Sequence, residues 1–161
     1  MHPHLGYSMG GHVGLYLAKI SPQRINKLFT LATKFLWTPE TAAREAAFLD
    51  PDQILKKVPH FARVLEERHS VPGWKNVLER TRVMFLEQGK KNILPIDDLK
   101  GITHTVRVSV GDRDKTVSIE ETVEVYRLLQ QGELQIFPGI PHSFEQVPLS
   151  SLAHALTDFF T

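Results

Sequence analysis

Length, composition and charge exclude several classes of protein before any motif is considered. The chain has 161 residues, 42% of them hydrophobic, and its 19 basic and 18 acidic side chains give no sign of a nucleic-acid partner, an acidic tail or a disordered chain. The absence of cysteine excludes disulfides, thiolate metal sites and a cysteine nucleophile. Because we find neither a signal-peptide pattern nor an apolar run long enough to span a membrane, we expect a cytosolic protein without a membrane partner.

The first motif in the chain is Gly6-Tyr-Ser-Met-Gly10. It fits the nucleophile elbow, a tight turn between a strand and a helix that presents a serine hydroxyl, here that of Ser8, at the top of a sheet. Such a turn folds so sharply that we expect a Cβ at Gly6 or at Gly10 to collide with the neighbouring strand or helix. So short a pattern is also typical of a flexible glycine-rich loop, and its surroundings decide between the two.

A predicted helix and a predicted strand follow this motif. Residues 12–20 are typical of a helix with its small residues on one side, and Ser21-Pro22 ends it because the position before a proline disfavours helix. Residues 25–33 are apolar and β-prone, which predicts a mostly buried strand. The serine therefore lies where a helix begins. We predict that the amide of Met9 binds an oxyanion formed beside Ser8, assisted by the helix dipole.

A long helical region interrupts the strand pattern. Residues 36–103 contain repeated helix-start signals and no convincing strand, which predicts a helical insertion into an α/β core formed by residues 1–35 and 104–161. The start signals are Thr38-Pro39 and Asp50-Pro51, and two further helices are predicted at 59–69 and 73–88, the last of them ended by Gly89.

Aromatic side chains are candidates for an apolar substrate pocket. We predict Tyr7, next to the serine, together with Phe35 and Trp37 as substrate-binding residues, although aromatic residues at helical spacing are also typical of a core. The spacing of His60, His69 and His104 lacks the pairing of metal ligands. We therefore predict neither a metal site nor a cofactor.

The rest of the chain alternates strand and helix. Residues 105–110 alternate as a strand that ends at Gly111-Asp-Arg-Asp114, and residues 133–137 form a second strand, followed by the loop 138–142. The helices are predicted from a capping box at Ser118–Glu121 to about residue 131, ended by Gly132, and over residues 148–160. This alternation predicts an α/β fold with a short, mostly parallel sheet of about four strands flanked by helices.

Three residues with the chemistry of a catalytic triad follow the predicted strands. Ser8, Asp114 and His142 each lie beyond the carboxyl end of a strand, where α/β folds place their chemistry, and they occur in the order serine, acid, histidine. A serine hydroxyl needs a base that takes its proton, and the base needs an acid that fixes its tautomer. Asp112 and His154 are the alternative acid and base.

Three segments together resemble the C-terminal part of the α/β-hydrolase fold superfamily: Gly-Tyr-Ser-Met-Gly-Gly at 6–11, Gly-Asp-Arg-Asp-Lys-Thr-Val at 111–117 and Pro-Gly-Ile-Pro-His at 138–142. The resemblance covers essentially the whole chain. It implies Asp114 as the acid, His142 as the base and a helical cap over residues 36–103. Because the elbow carries a serine and not an aspartate, the resemblance also implies acyl transfer to water, and we expect a serine esterase with a small-molecule acyl substrate.

The sequence departs from this family in front of the elbow. Complete members have several strands and two helices there, including a loop that resembles the usual source of the second oxyanion amide, whereas this sequence has only Met1–Leu5. We expect a fragment or a misassigned start of a longer hydrolase; the alternatives are a homo-oligomer that completes its sheet through another copy and a reduced protein without activity. The alternative function is a non-catalytic remnant or interaction protein that associates through an open sheet edge. A lyase or a cofactor-free oxidase is a third option.

Overall fold

A four-stranded sheet carries the motifs singled out in the sequence. The computed structural model describes residues 2–161. The strands are β1 (His2–Tyr7), β2 (Ile25–Leu31), β3 (Thr105–Gly111) and β4 (Gln131–Phe137), and they are neighbours in chain order. All three strand pairs are parallel, so the carboxyl ends of the strands lie along one edge of the sheet. The α/β class and the short parallel sheet are confirmed.

Helices connect the strands and fill the inserted region. Within residues 2–161 they are α1 (Met9–Ile20), α2 (Pro39–Ala47), α3 (Pro51–Lys57), α4 (Pro59–Arg68), α5 (Trp74–Lys90), α6 (Ile119–Leu128) and α7 (Leu149–Phe160). Short 3₁₀ turns occur at Pro22–Arg24, Ile96–Gly101 and Phe144–Gln146. Within this part of the chain, no helix combines the length and the apolar character needed to cross a membrane.

Two hydrophobic clusters cover the two faces of the sheet. Neighbouring residues of a strand point to opposite faces, and β2 shows this directly. Leu28 packs with Leu15 of α1 and Val125 of α6, whereas Phe29 packs with Phe159 of α7, with ring centroids 5.8 Å apart. The sheet is therefore held between α1 and α6 on one face and α7 on the other, and its carboxyl edge is left for the loops.

The chain divides into two compact units. One comprises the described residues up to Leu36 together with Leu94–Thr161, and the other is Trp37–Ile93. Residues 94–103, predicted from the sequence to belong to the insertion, lie in the first unit because Leu94, Leu99 and Ile102 belong to its core cluster. The second unit contains α2 to α5 and has a small core of its own.

Two glycines predicted to end helices serve other purposes. Gly89 lies inside α5, where a Cβ would collide with Ala42 of α2, so this glycine permits close helix packing. Gly132 lies in β4 beside Val106, and a Cβ there would lie 2.6 Å from the carbonyl oxygen of Tyr126. The helix before it ends at Leu128, three residues earlier than about residue 131 as predicted.

A buried carboxylate holds the segment that follows β2. Ser118 accepts a hydrogen bond from the Glu121 amide (3.0 Å), as a helix cap should. The Glu121 carboxylate does not complete the expected capping box: it accepts from the amides of Phe35 (2.6 Å) and Leu36 (2.7 Å) and lies 3.3 Å from Nζ of Lys34. Both charged side chains of this ion pair are more than 90% buried. The pair therefore fixes residues 34–36 against the first turn of α6.

Candidate active site

Ser8 lies in a strained turn between β1 and α1. Its φ of 50° and ψ of −119° are unusual for any residue other than glycine. The turn is held on both sides: the Ser8 amide donates to the carbonyl of Leu31 (2.8 Å), and the Ser8 carbonyl accepts from the amide of Gly11 (3.1 Å). This turn, which has the features of a nucleophile elbow, holds the serine at the carboxyl edge of the sheet.

The glycines around Ser8 differ in what they are needed for. A Cβ on Gly6 would lie 2.5 Å from Cα and N of Gly11, where no real Cβ fits. Apart from its chain neighbours and the nearby backbone of its own helix, a Cβ on Gly10 would have no heavy atom within 4 Å, so the expected collision at this position is wrong. Because α1 begins at Met9, Gly10 is already on the exposed side of the helix, and the buried Gly11 packs against Thr33 instead.

Replacing Gly6 and Gly10 separately by alanine tests this difference. We expect Gly6→Ala to lower the free energy of unfolding by about 3 kcal/mol or more, since overpacking against a fixed backbone cannot relax easily. We expect Gly10→Ala to be neutral or stabilising by up to about 1 kcal/mol, because alanine favours helix. Urea unfolding followed by circular dichroism measures both, and equal losses in the two variants would contradict the geometry.

Asp114 and His142 come together at the same edge of the sheet. Asp114 follows β3, and its Oδ1 accepts from the amides of Thr116 (2.8 Å) and Val117 (2.9 Å). Its Oδ2 lies 2.8 Å from Nδ1 of His142, which lies beyond β4. The Asp114 side chain is fully buried, whereas 28% of the His142 side chain is exposed. The amides of its own loop thus hold one carboxylate oxygen of Asp114, while the other oxygen binds the histidine.

The ionisation of Asp114 determines which imidazole nitrogen carries the proton. Burial opposes the charged form, but the hydrogen bonds from His142, Val117 and Thr116 outweigh it and hold the pKa of Asp114 below its ordinary value. An ionised carboxylate only accepts hydrogen bonds, so Nδ1 of neutral His142 must be the protonated nitrogen. Nε2 is then free to accept, and it lies 3.2 Å from Oγ of Ser8. The three residues form a continuous hydrogen-bonded series.

Met9 is the first residue of α1 and directly follows the serine. An amide in the first turn of a helix has no acceptor within the helix, and the helix dipole adds partial positive charge at this end. These two properties suit an amide that stabilises a developing oxyanion. The contribution of Met9 to an oxyanion hole stays a prediction.

The alternative acid and base have other environments. Oδ1 of Asp112 accepts from the amide of Gly139 (2.6 Å), and the amide of Arg113 donates to the carbonyl of Ile140 (3.0 Å). Asp112 therefore connects the loop of the acid to the loop of the histidine, a role that its position in the sequence does not indicate. His154 lies exposed on α7.

The three predicted substrate-binding aromatics lie in different surroundings. The phenol of Tyr7 donates to the backbone carbonyl of His142 (2.8 Å). Phe35 is only 3% exposed and belongs to the core cluster around α1 and β3. Trp37 lies in the second unit and packs against Phe85, with ring centroids 4.9 Å apart. All three have structural contacts of their own, and a part for them in substrate binding stays a prediction.

Residues 2–161 contain no cluster of three or more histidine, aspartate or glutamate side chains that could hold a metal ion. At the carboxyl edge of the sheet, Asp114 and His142 are bonded to each other.

Comparison with solved structures identifies the fold. MGS-M2, an α/β-hydrolase enzyme from a Medee basin deep-sea metagenome library, superposes with a TM-score of 0.68 at 15% identity, over 99% of this chain and 65% of its own. The 2-hydroxy-6-oxo-6-phenylhexa-2,4-dienoate hydrolase of Rhodococcus sp. strain RHA1 superposes with a TM-score of 0.70 at 23% identity, over 97% of this chain and 62% of its own. NosK from Streptomyces actuosus superposes with a TM-score of 0.77 at 17% identity, over 97% of this chain and 67% of its own.

The chain therefore has a partial α/β-hydrolase fold, which confirms the family resemblance at the level of the fold. It spans 62–67% of the length of these three structures. No protein-family model and no curated protein sequence matches the chain.

Proposed function

We propose that this protein is a serine hydrolase that cleaves carboxylic esters through an acyl-enzyme on Ser8. The observation that supports the proposal most is the hydrogen-bonded series of Ser8, His142 and Asp114, with 3.2 Å from Oγ to Nε2 and 2.8 Å from Nδ1 to Oδ2. Each distance is compatible with proton transfer or tautomer control between these groups. The hydrolase fold of the chain agrees with this chemistry, and the proposed site lies where such folds place their reactive groups.

In the first half of the proposed reaction, Nε2 of His142 takes the hydroxyl proton of Ser8 while Oγ attacks the ester carbonyl carbon. The carbonyl oxygen becomes an oxyanion, which the amide of Met9 stabilises. The imidazolium then gives its proton to the departing alkoxide as the bond from carbon to the alkoxy oxygen breaks. An alcohol leaves, and the acyl group stays on Ser8 as an ester.

The second half repeats these steps with water. Nε2 of His142 takes a proton from the water molecule, whose oxygen attacks the acyl carbon, and the imidazolium returns that proton to Oγ of Ser8. The product is a carboxylic acid, and the enzyme is regenerated. Asp114 stays ionised throughout and stabilises the imidazolium in both halves.

Covalent labelling with a fluorophosphonate tests the proposal directly, because this probe phosphonylates a serine activated by a base. We expect one probe per chain, located on the peptide that contains Ser8, and no label on Ser8→Ala. Ser151→Ala, at an exposed position of α7, is the matched control and should label like the parent. A folded parent that takes no label, or a Ser8→Ala variant that still does, would overturn the assignment.

A further inference from the structure

His142 lies on a loop, and the proposed chemistry needs it within hydrogen-bonding distance of Ser8. Residues 138–143 connect β4 to the 3₁₀ turn at Phe144–Gln146 and belong to no strand or helix. A ladder of sheet hydrogen bonds therefore does not fix the backbone of this loop. Since small misplacements of a reacting group are costly, other contacts must set the position of the imidazole.

Two contacts fix the beginning of this loop. The Asp112 carboxylate binds the amide of Gly139, and the amide of Arg113 binds the carbonyl of Ile140. Both contacts connect the loop to the segment that carries Asp114. They fix Gly139 and Ile140 relative to the loop of the acid, but neither bonds His142 itself, and neither involves β1, which leads into the nucleophile.

Tyr7, the last residue of β1, contacts this loop from the strand that leads into Ser8. Its hydroxyl donates a hydrogen bond of 2.8 Å to the backbone carbonyl of His142 itself. Its ring lies 5.6 Å from the imidazole and 5.4 Å from the ring of Phe144, measured between centroids. Because Tyr7 directly precedes Ser8, one side chain joins the backbone next to the nucleophile to the backbone of the proposed base.

The phenol keeps its proton under ordinary conditions. Burial raises the pKa of Tyr7; the Phe144 amide opposes this change, while the carboxylates of Glu145 and Asp114 add to it. The hydroxyl therefore stays a donor across the neutral range. A carbonyl oxygen offers only acceptor sites, so this bond requires that donor.

We infer that Tyr7 is a positioning residue that sets the distance between His142 and Ser8, and that its hydroxyl is not the substrate contact predicted from the sequence. The inference rests on the proposed function, because it assigns Tyr7 to the step in which the imidazole takes the proton of Ser8. The hydroxyl is bonded to a backbone carbonyl and touches none of the reacting atoms. It acts through His142.

Tyr7→Phe separates this role from substrate binding, since it removes the donor and keeps the ring contacts. With p-nitrophenyl acetate as substrate, we expect kcat to fall about fivefold, the factor that corresponds to one hydrogen bond of typical net strength. We expect KM to stay within about twofold, because no substrate contact is removed. The rate of fluorophosphonate labelling should fall by the same factor as kcat.

A matched control and a second measurement accompany the kinetics. Tyr126→Phe makes the same change on the exposed side of α6 and should behave like the parent. Nuclear magnetic resonance of the Nδ1 proton of His142 reports the position of the imidazole without any substrate. In Tyr7→Phe we expect this proton to exchange with water about fivefold faster than in the parent, since a displaced ring bonds Asp114 less well.

These measurements distinguish the failure of each idea. A parent without ester activity would overturn the proposed function, and the exchange rate in Tyr7→Phe would still decide the positioning role. An increased KM with unchanged kcat would instead make Tyr7 a substrate contact. A folded Tyr7→Phe variant with unchanged kcat and unchanged proton exchange would overturn the inference.

Discussion

Replacing Ser8 or His142 by alanine is expected to lower kcat for ester hydrolysis by on the order of 10⁴- to 10⁶-fold, and the double replacement is expected to cost no more than the more damaging single one. The reason is that the two side chains act as one unit. Without the imidazole the hydroxyl is a weak nucleophile, and without the hydroxyl the imidazole has no proton to take. Steady-state kinetics with p-nitrophenyl acetate on Ser8→Ala, His142→Ala and the double variant measure the three losses.

The design depends on all three variants being folded. Alanine at position 8 meets the same backbone conformation as serine and removes only the hydroxyl, and His142 has a partly exposed side chain whose loss leaves no large cavity. Near-ultraviolet circular dichroism and thermal unfolding verify this, and Ser151→Ala is again the control. If the losses of the single variants multiply in the double variant, Ser8 and His142 act independently and the proposed mechanism is wrong.

Asp114→Asn is expected to lower kcat by on the order of 10⁴-fold with little change in stability. The asparagine amide can present an N–H to Nδ1 of His142, which favours the tautomer with its proton on Nε2. That nitrogen can then no longer accept the proton of Ser8. Because the hydrogen bonds to Asp114 hold its pKa below its ordinary value, the carboxylate should stay ionised throughout the neutral range, and its titration should not limit activity there.

Asp112→Asn provides the matched comparison, two residues away in the same loop. At this position the backbone amide of Gly139 donates a hydrogen bond to a side-chain oxygen of Asp112. The side-chain oxygen of an asparagine can still accept this bond. We therefore expect a much smaller loss, of less than about tenfold. The kinetics of both variants on one ester decide the matter, and equal losses would mean that the Asp114 effect is not a tautomer effect.

The sequence predicts the fold well where its signals are local. A glycine-flanked serine before a helix, an alternating strand before an acidic turn and a short strand before a histidine loop each span fewer than about ten residues. Parallel strands then bring their carboxyl ends to one edge, which is why Ser8, Asp114 and His142 could be grouped before their distances were known. Their catalytic roles stay predictions, although the geometry brings them together.

Features that depend on contacts distant in sequence could not be predicted in the same way. Glu121 has the spacing of a capping box, yet its carboxylate binds amides that precede it by 86 and 85 residues. The glycine pattern does not show that Gly11, and not Gly10, is the one required by packing. Residues 94–103 contain a helical turn like the insertion before them, but they pack in the core of the first unit. In each case tertiary packing decides between equally good local interpretations.

At position 8, the backbone conformation that presents the serine hydroxyl for the proposed reaction also lowers the stability of the fold. A non-glycine residue in such a backbone geometry costs about 1–3 kcal/mol, a large part of the 5–15 kcal/mol by which natural domains are stable. Glycine would adopt the same φ of 50° without that cost. Any selection for thermal stability alone would therefore favour replacing Ser8, on which the proposed acyl-enzyme forms, so engineering of this chain should hold position 8 constant and seek stability elsewhere.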